Sequence, residues 1–277
     1  MTNEPMPLSK ARMEILSRAA GVCFDLDDTF TSSGKIASEA WRSLWAAHEA
    51  GLAMVAVTGR PAGWCDLVCR YWPVAGVVGE NGAFYFAHDK KRRRIVRRFA
   101  RSARKREEDR RRLDEVAMSV LRAVPRARIS ADQPFRIADL AVDFAEDVGP
   151  LTGEEVERVV EVMRSHGAAA KVSSIHVNCW FGRYDKQSML LRFARDRLDL
   201  EEADARRRLV YVGDSPNDEP LFATFSLSVG VANVRRFLPE MKAPPAFITK
   251  GAEGAGFSEL VRAVIRARAS TKSGGGL

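Results

Sequence analysis

The sequence predicts an α/β protein: a Rossmann-like core with a doubly wound parallel sheet, interrupted by an inserted α+β module. Three observations carry this. Short apolar runs ending in acids or in Thr-Gly alternate with helix-patterned stretches over residues 21–79. That rhythm stops after residue 84, where strand-like segments follow one another directly. It returns at Tyr184 and holds almost to the end of the chain.

Residues 21–26, GVCFDL, form a strand buried on both faces, as in a parallel sheet. Ala40, Trp41, Leu44, Trp45 and Ala47 recur at helical spacing over 38–50, and Gly51 ends that helix. LAMVAVTG (52–59) is a second buried strand, 62–71 a short helix, and VAGVVG (74–79) a third strand before the turn Glu80-Asn81-Gly82. This β–α–β–α–β order implies right-handed crossovers. FYFAHD (84–89) and RRIVRRFA (93–100) predict two strands joined by a charged turn, and 103–123 an amphipathic helix. FRIADLAVDFA (135–145) is strand-like, and Thr-Gly-Glu-Glu opens a helix over 152–166. KVSSIHVNCWF (171–181) predicts one alternating strand. It places Ser174, His176, Asn178 and Trp180 on one face, a polar and aromatic surface suited equally to sugar hydroxyls or to solvent.

A helix over 185–197, strands at RLVYVGD, LSVGVAN and AFITK, and a helix over 256–268 complete the chain. The expected organisation is therefore core over 1–84 and 183–277, insert over 85–182, and a disordered tail from about residue 270.

With 46% hydrophobic and 29% charged residues, the 277-residue chain has the composition of a folded soluble protein. No apolar stretch approaches the ~20 residues of a membrane-spanning helix. The first residues show no apolar core of a secretory leader. Four cysteines without metal or CxxC spacing suggest a reducing, cytoplasmic setting.

The net charge of +8 has one source. Residues 90–112 hold fourteen Lys or Arg and three acids, which leaves the rest of the chain at −3. Such a segment is either a footprint for nucleic acid, anionic lipid or anionic substrate, or a solvated hairpin edge running into a charged helix. No nucleic-acid-binding motif or interleaved aromatics accompany it, which favours the second.

Carboxylates gather at predicted strand ends, where open α/β sheets bind ligands. Asp25 and Asp27 end the first strand, two residues apart and so on one side; Asp214 and Asp218 end VYVGD. Four buried acids require compensating positive charge, and Mg²⁺ suits a few carboxylates with phosphate oxygens and water. Thr58 ends the second strand with a hydroxyl, and Lys186 opens a helix as a fixed cation. A nucleophile, a metal and cationic or N–H groups around a phosphoryl centre are the parts of phosphoryl transfer. A carboxylate can be that nucleophile, and a second can protonate the leaving alcohol and then activate water.

In order, Asp25-Leu26-Asp27-Asp28-Thr29, Thr58, Lys186 and Gly213-Asp214-Ser215-Pro216-Asn217-Asp218 resemble the four motifs of the haloacid dehalogenase (HAD) superfamily. The ENGA turn (80–83), SVGVAN (228–233) and an insert between the second and third motifs are similar to its Cof-like, C2-capped branch. That branch includes sucrose-phosphate, mannosyl-phosphoglycerate and trehalose-phosphate phosphatases. The resemblance covers the core, about 180 residues, and is looser across the cap. Asp28 and Gln187 stand where many relatives carry Gly.

The resemblance implies Asp25 as nucleophile, Asp27 as general acid/base, and Mg²⁺ held by Asp25, the backbone carbonyl of Asp27 and Asp214, with Asp218 in support. It implies Thr58 and Lys186 at the phosphoryl group, with Asn217 nearby. Arg60, Asn81, His176 and Asn178 complete the expected substrate contacts. An acid at position 27 favours phosphate over halide chemistry, since a halide leaves without a proton. The expected protein is a Mg²⁺-dependent phosphatase of a small phosphorylated metabolite, monomer or homodimer, without a membrane partner. A sugar phosphomutase is the second expectation, and nucleic-acid binding through 90–112 ranks last.

Overall fold

The computed structural model describes residues 4–89, 91–173 and 175–273. Lys90, Ser174 and the last four residues lie outside the described residues. In chain order the elements are β1 (Met6–Pro7), α1 (Met13–Ser17), β2 (Gly21–Phe24), α2 (Ser38–Glu49), β3 (Ala53–Val57), α3 (Ala62–Tyr71) and β4 (Gly76–Gly79). Then come β5 (Phe84–Asp89), β6 (Arg94–Phe99), α4 (Ala103–Ala123), β7 (Arg128–Ile129), β8 (Leu140–Asp143), α5 (Gly153–Ser165), β9 (Ala169–Val172) and β10 (His176–Trp180). The chain closes with α6 (Lys186–Leu198), α7 (Glu202–Arg208), β11 (Leu209–Gly213), α8 (Glu219–Thr224), β12 (Leu227–Gly230), β13 (Phe247–Ile248) and α9 (Glu253–Ser273).

One nine-stranded sheet runs β1-β13-β12-β11-β2-β3-β4-β5-β6, parallel from β1 to β4 and antiparallel beyond. Its strands are apolar throughout because both faces are covered. Val22 and Phe24 feed a core shared with α1, α2, α3 and α9, while Cys23 between them packs against α6, α7 and α8. A separate antiparallel sheet runs β7-β8-β10-β9. Leu140, Val142, Val177 and Cys179 on one of its faces pack on Leu113, Val116 and Val120 of α4 and on Val159 and Met163 of α5. Cross-strand partners share a face, so the His176–Asp143 and Asn178–Lys171 pairs occupy the other side.

Four expectations change. The β5–β6 hairpin belongs to the core sheet, so the boundary at 85 falls inside it and the chain leaves that sheet only after Phe99. The physical reason is that Phe84 and Phe86 fill one core while Tyr85 and Ala87 fill the other. Residues 171–181 form a hairpin rather than one strand. The Ser173 hydroxyl donates to the His176 carbonyl and accepts from its N–H, both at 3.0 Å, and so reverses the chain. The strand expected over 135–145 shrinks to β8, because Gln133–Phe135 forms a 3₁₀ turn around Pro134. The last helix continues to Ser273, past the expected disordered start near 270.

A buried acid fastens the insert to the core. Glu80 follows β4 with φ 43°, and its carboxylate accepts the N–H groups of Ala62, Ile137, Ala138 and Asp139 at 2.6–3.2 Å. Gly82 holds φ 100°, and a Cβ there would lie 2.0 Å from the Asp185 carbonyl oxygen, so only glycine lets this turn touch the start of α6. Replacing Glu80 with Ala strands four N–H groups, two of them in buried residues and two in partly buried ones. Chemical denaturation of that variant is expected to show a loss of about 3 kcal/mol or more; an unchanged midpoint would contradict the clasp.

Candidate active site

Asp25 and Asp27 leave the end of β2, Thr58 and Arg60 the end of β3, and Asp214 and Asp218 the end of β11. These strands are neighbours, and the order of connection reverses between β11 and β2, which opens a crevice there. Lys186 is the first residue of α6, behind Asp185, whose carboxylate caps the helix by accepting the Ser188 N–H. The Lys186 Nζ donates to Asp25 Oδ1 at 2.6 Å and lies 3.5 Å from Asp218 Oδ1.

Asp218 is saturated. The Tyr211 hydroxyl donates to Oδ1 at 2.6 Å, and the N–H groups of Asp214 and Ser215 donate to Oδ2 at 3.0 and 3.3 Å. A Cβ on residue 213 would stand 2.4 Å from that Oδ2, which explains the glycine before Asp214. Thr29 and Asn233 donate to the two oxygens of Asp214 at 3.2 and 3.3 Å. Asp218 thus braces the loop, and Asp25 and Asp214 remain the ligand donors.

Ligand oxygens of Asp25, Asp214 and Asp218 lie within 4.8 Å of one another. Burial raises Asp25, Lys186 pulls it down, and Asp218 and Asp27 push it up again, to about 7. Burial, then Asp218 and Asp25, hold Asp214 well above the usual carboxylate range. Burial alone would lower Lys186, but Asp25 and Asp218 outweigh it and keep it charged. Asp25 and Asp214 hold their protons tightly despite the Lys186 ammonium and an Arg236 guanidinium 4.0 Å from Asp214, and an all-oxygen donor set that can exchange those protons fits a hard divalent cation.

The Asp27 carboxylate is not part of this cluster. Arg60 grips it, with Nε 3.1 and 3.0 Å from its two oxygens and Nη2 2.9 Å from Oδ1. Only the Asp27 backbone remains for the metal role that the resemblance implies. The third arm of Arg60, Nη1, donates to Glu146 of the cap at 3.0 Å, and the guanidinium sits 4.6 Å from the Trp64 ring centre. Arg60 therefore reaches the cavity with each nitrogen of its fork already bonded.

The cavity has a volume of about 260 Å³; Asp25, Asp27, Arg60, Asn81, Lys186 and Asp214 line it from the core. Arg136, His176 and Asn178 line it from the cap, and Asn217 lies on its wall. Thr58 is buried beside it, its hydroxyl accepting the Arg60 N–H at 3.0 Å. The Asn81 side-chain Nδ2 is buried without a partner among the described residues, a state that costs ~1–3 kcal/mol unless another group accepts from it. His176 pairs with Glu146 Oε2 at 2.8 Å, and burial followed by the Arg136 charge lowers its pKa. Asn178 donates to Asp139 at 3.2 Å. Trp180 stacks on Tyr184 with centroids 5.8 Å apart and does not line the cavity. No described residue of 90–112 lines it either.

Several contributors were not singled out from the sequence. Thr29 and Asn233 lie within the phrases DLDDT and SVGVAN, yet nothing in their spacing announces a bond to Asp214. Lys171 reaches from β9 to the Asn217 carbonyl at 2.7 Å, and burial brings its pKa down to about 8. Glu146 has no sequence signal, because its partner is 86 residues away.

No family model matches the sequence, and no curated protein does. Solved structures do. A haloacid dehalogenase-like hydrolase from Bacteroides thetaiotaomicron matches over 88% of this chain and 98% of its own, at 14% identity and TM-score 0.63. The chain has the HAD-like fold. The C-terminal domain of trehalose-6-phosphate phosphatase from C. albicans matches over 95% of this chain and 98% of its own, at 12% identity and TM-score 0.67. A HAD subclass IIB sugar phosphatase matches over 92% and 99%, at 15% identity and TM-score 0.59. The HAD-like core is the nine-stranded sheet, and the four-stranded module is its cap.

Linkage between Asp25 and pH gives a test of the cation site. A folded-state value of about 7, above the unfolded carboxylate, stabilises the metal-free chain fully at low pH and is lost as pH rises through about 7. A bound divalent cation competes with that proton. Its addition is expected to raise the melting temperature more at about pH 8 than at about pH 5, and not at all in Asp214→Asn. Equal stabilisation at both pH values would contradict the site.

Proposed function

We propose that this chain is a Mg²⁺-dependent phosphatase that hydrolyses a small phosphomonoester, a sugar phosphate or related metabolite, through a phosphoryl group carried on Asp25. The observation that supports this best is Asp25 itself, lining a cavity with one carboxylate oxygen held by Lys186 and a buried Asn81 amide without a partner among the described residues. The solved structures named for sugar and trehalose-phosphate phosphatases share this architecture.

In the first step an Asp25 oxygen attacks phosphorus, the bond from phosphorus to the leaving oxygen breaks, and Asp27 gives that oxygen a proton. In the second, Asp27 takes a proton from water, the water oxygen attacks phosphorus, and Asp25 is released with inorganic phosphate. Lys186 and the Asn81 amide stabilise the phosphoryl oxygens. Mg²⁺, held by Asp25, Asp214 and the Asp27 backbone, would supply the charge that brings an anionic ester beside these carboxylates.

The cavity lies below the ~300–1,000 Å³ of drug-sized sites, which favours a monosaccharide-sized ester over a larger one. The cap wall supplies Asn178, His176 and carboxylate-bound Arg136, groups suited to hydroxyls. Sugar phosphates, phosphoglycerates and nucleotides assayed with Mg²⁺ are expected to rank with monosaccharide phosphates first. Asp25→Asn is expected to lose at least about a thousandfold in phosphate release. Uniform feeble rates would overturn the substrate class, and a fully active Asp25→Asn would overturn the reaction.

A further inference from the structure

We infer that Glu146 of the cap is a positioning residue for Asp27, acting through Arg60. The inference rests on the phosphatase function proposed above and adds a role that the motifs do not carry. The geometry begins in the cap. Asp143 ends β8, and its carboxylate accepts the N–H groups of Ala145, Glu146 and Asp147 at 3.0, 2.8 and 2.8 Å, so the backbone carrying Glu146 is fixed. His176 at the start of β10 pairs with Asp143 across the sheet and bonds Glu146 Oε2 at 2.8 Å. The Ser130 hydroxyl lies 3.2 Å from the same His176 nitrogen. The remaining Glu146 oxygen, Oε1, then receives Arg60 Nη1 at 3.0 Å.

Arg60 has little freedom once that bond is made. Its N–H is tied to Thr58, its guanidinium rests on Trp64, and its Nε and Nη2 face Asp27. A planar fork fixed on one arm presents its other two donors in one direction. The carboxylate that must give a proton to the leaving oxygen is therefore aimed by a residue of the cap. Lys171 bonding the Asn217 carbonyl is a second cap contact with the same site, but it touches the loop that braces Asp214 and not the acid. Cap docking and alignment of the acid are thus one event, which restricts proton transfer to a covered site.

A positioning role has a signature that folding or substrate binding lacks. A good leaving group departs without a proton, whereas a basic one needs it. Single-turnover release of p-nitrophenol from p-nitrophenyl phosphate and of phenol from phenyl phosphate, with Mg²⁺, reads the first step alone. Glu146→Gln keeps the shape and removes the charge that holds Arg60. It is expected to slow phenol release about tenfold, a fraction of the ~10²–10⁴ that acid catalysis supplies, and p-nitrophenol release less than about twofold. Glu146→Ala, which removes the carboxylate that Arg60 Nη1 meets, is expected to shift the same ratio in the same direction and serves if the first variant does not fold. Equal slowing of both substrates, no slowing, or a raised KM with kcat unchanged would overturn the role while the phosphatase reading stands. A wild-type chain inactive on both esters would overturn the two together.

Discussion

The contact between Lys186 and Asp25 joins two parts of the core that lie 161 residues apart, on either side of the cap. It is short and largely buried, at the wall of the cavity. Everything near it answers to that pair. Asp218 accepts from Tyr211 and from two backbone amides because a third carboxylate at this depth is tolerable only when fully bonded. Asp214 takes Thr29 and Asn233 for the same reason. A divalent cation taking the place of the protons on these acids would draw anionic ligands into the crevice.

Polar bonds couple the cap to this centre, beside apolar contacts of Ile137 and Ala138 with the core. Glu80 collects the cap's re-entry into its second sheet, Arg136 reaches the Gly59 carbonyl at 3.0 Å, and Glu146 and Lys171 touch the loops that carry the chemistry. The strong basic character of residues 90–112 is partly spent internally: Arg97 pairs with Asp66, Arg101 with buried Asp109, and Arg106 lies over Phe99.

Much of the core is legible in the sequence because a strand buried on both faces leaves an unbroken apolar run, and because acids directly after such runs have few other uses. Asp25, Lys186, Asp214 and Asp218 meet as their order suggests. The β5–β6 hairpin misleads because antiparallel addition to a parallel sheet needs no helix, and the missing helix resembles a change of domain. The hairpin around Ser173 misleads because a serine side chain closing a turn preserves the alternation that marks a single strand. The roles of Glu80, Arg60 and Glu146 depend on cap and core meeting in space. No spacing along the chain encodes that, so the Arg60 grip on Asp27 becomes visible only in the folded molecule.

The central claim is that phosphorus is bonded to residue 25 during turnover. Acid-quenching the Mg²⁺-loaded wild-type chain during hydrolysis of its best ester, followed by peptide mass spectrometry, tests it directly. One hydroxylamine-sensitive phosphoryl group is expected on the peptide holding Asp25. Sustained turnover with that peptide never modified, or with the group on another side chain, would contradict it.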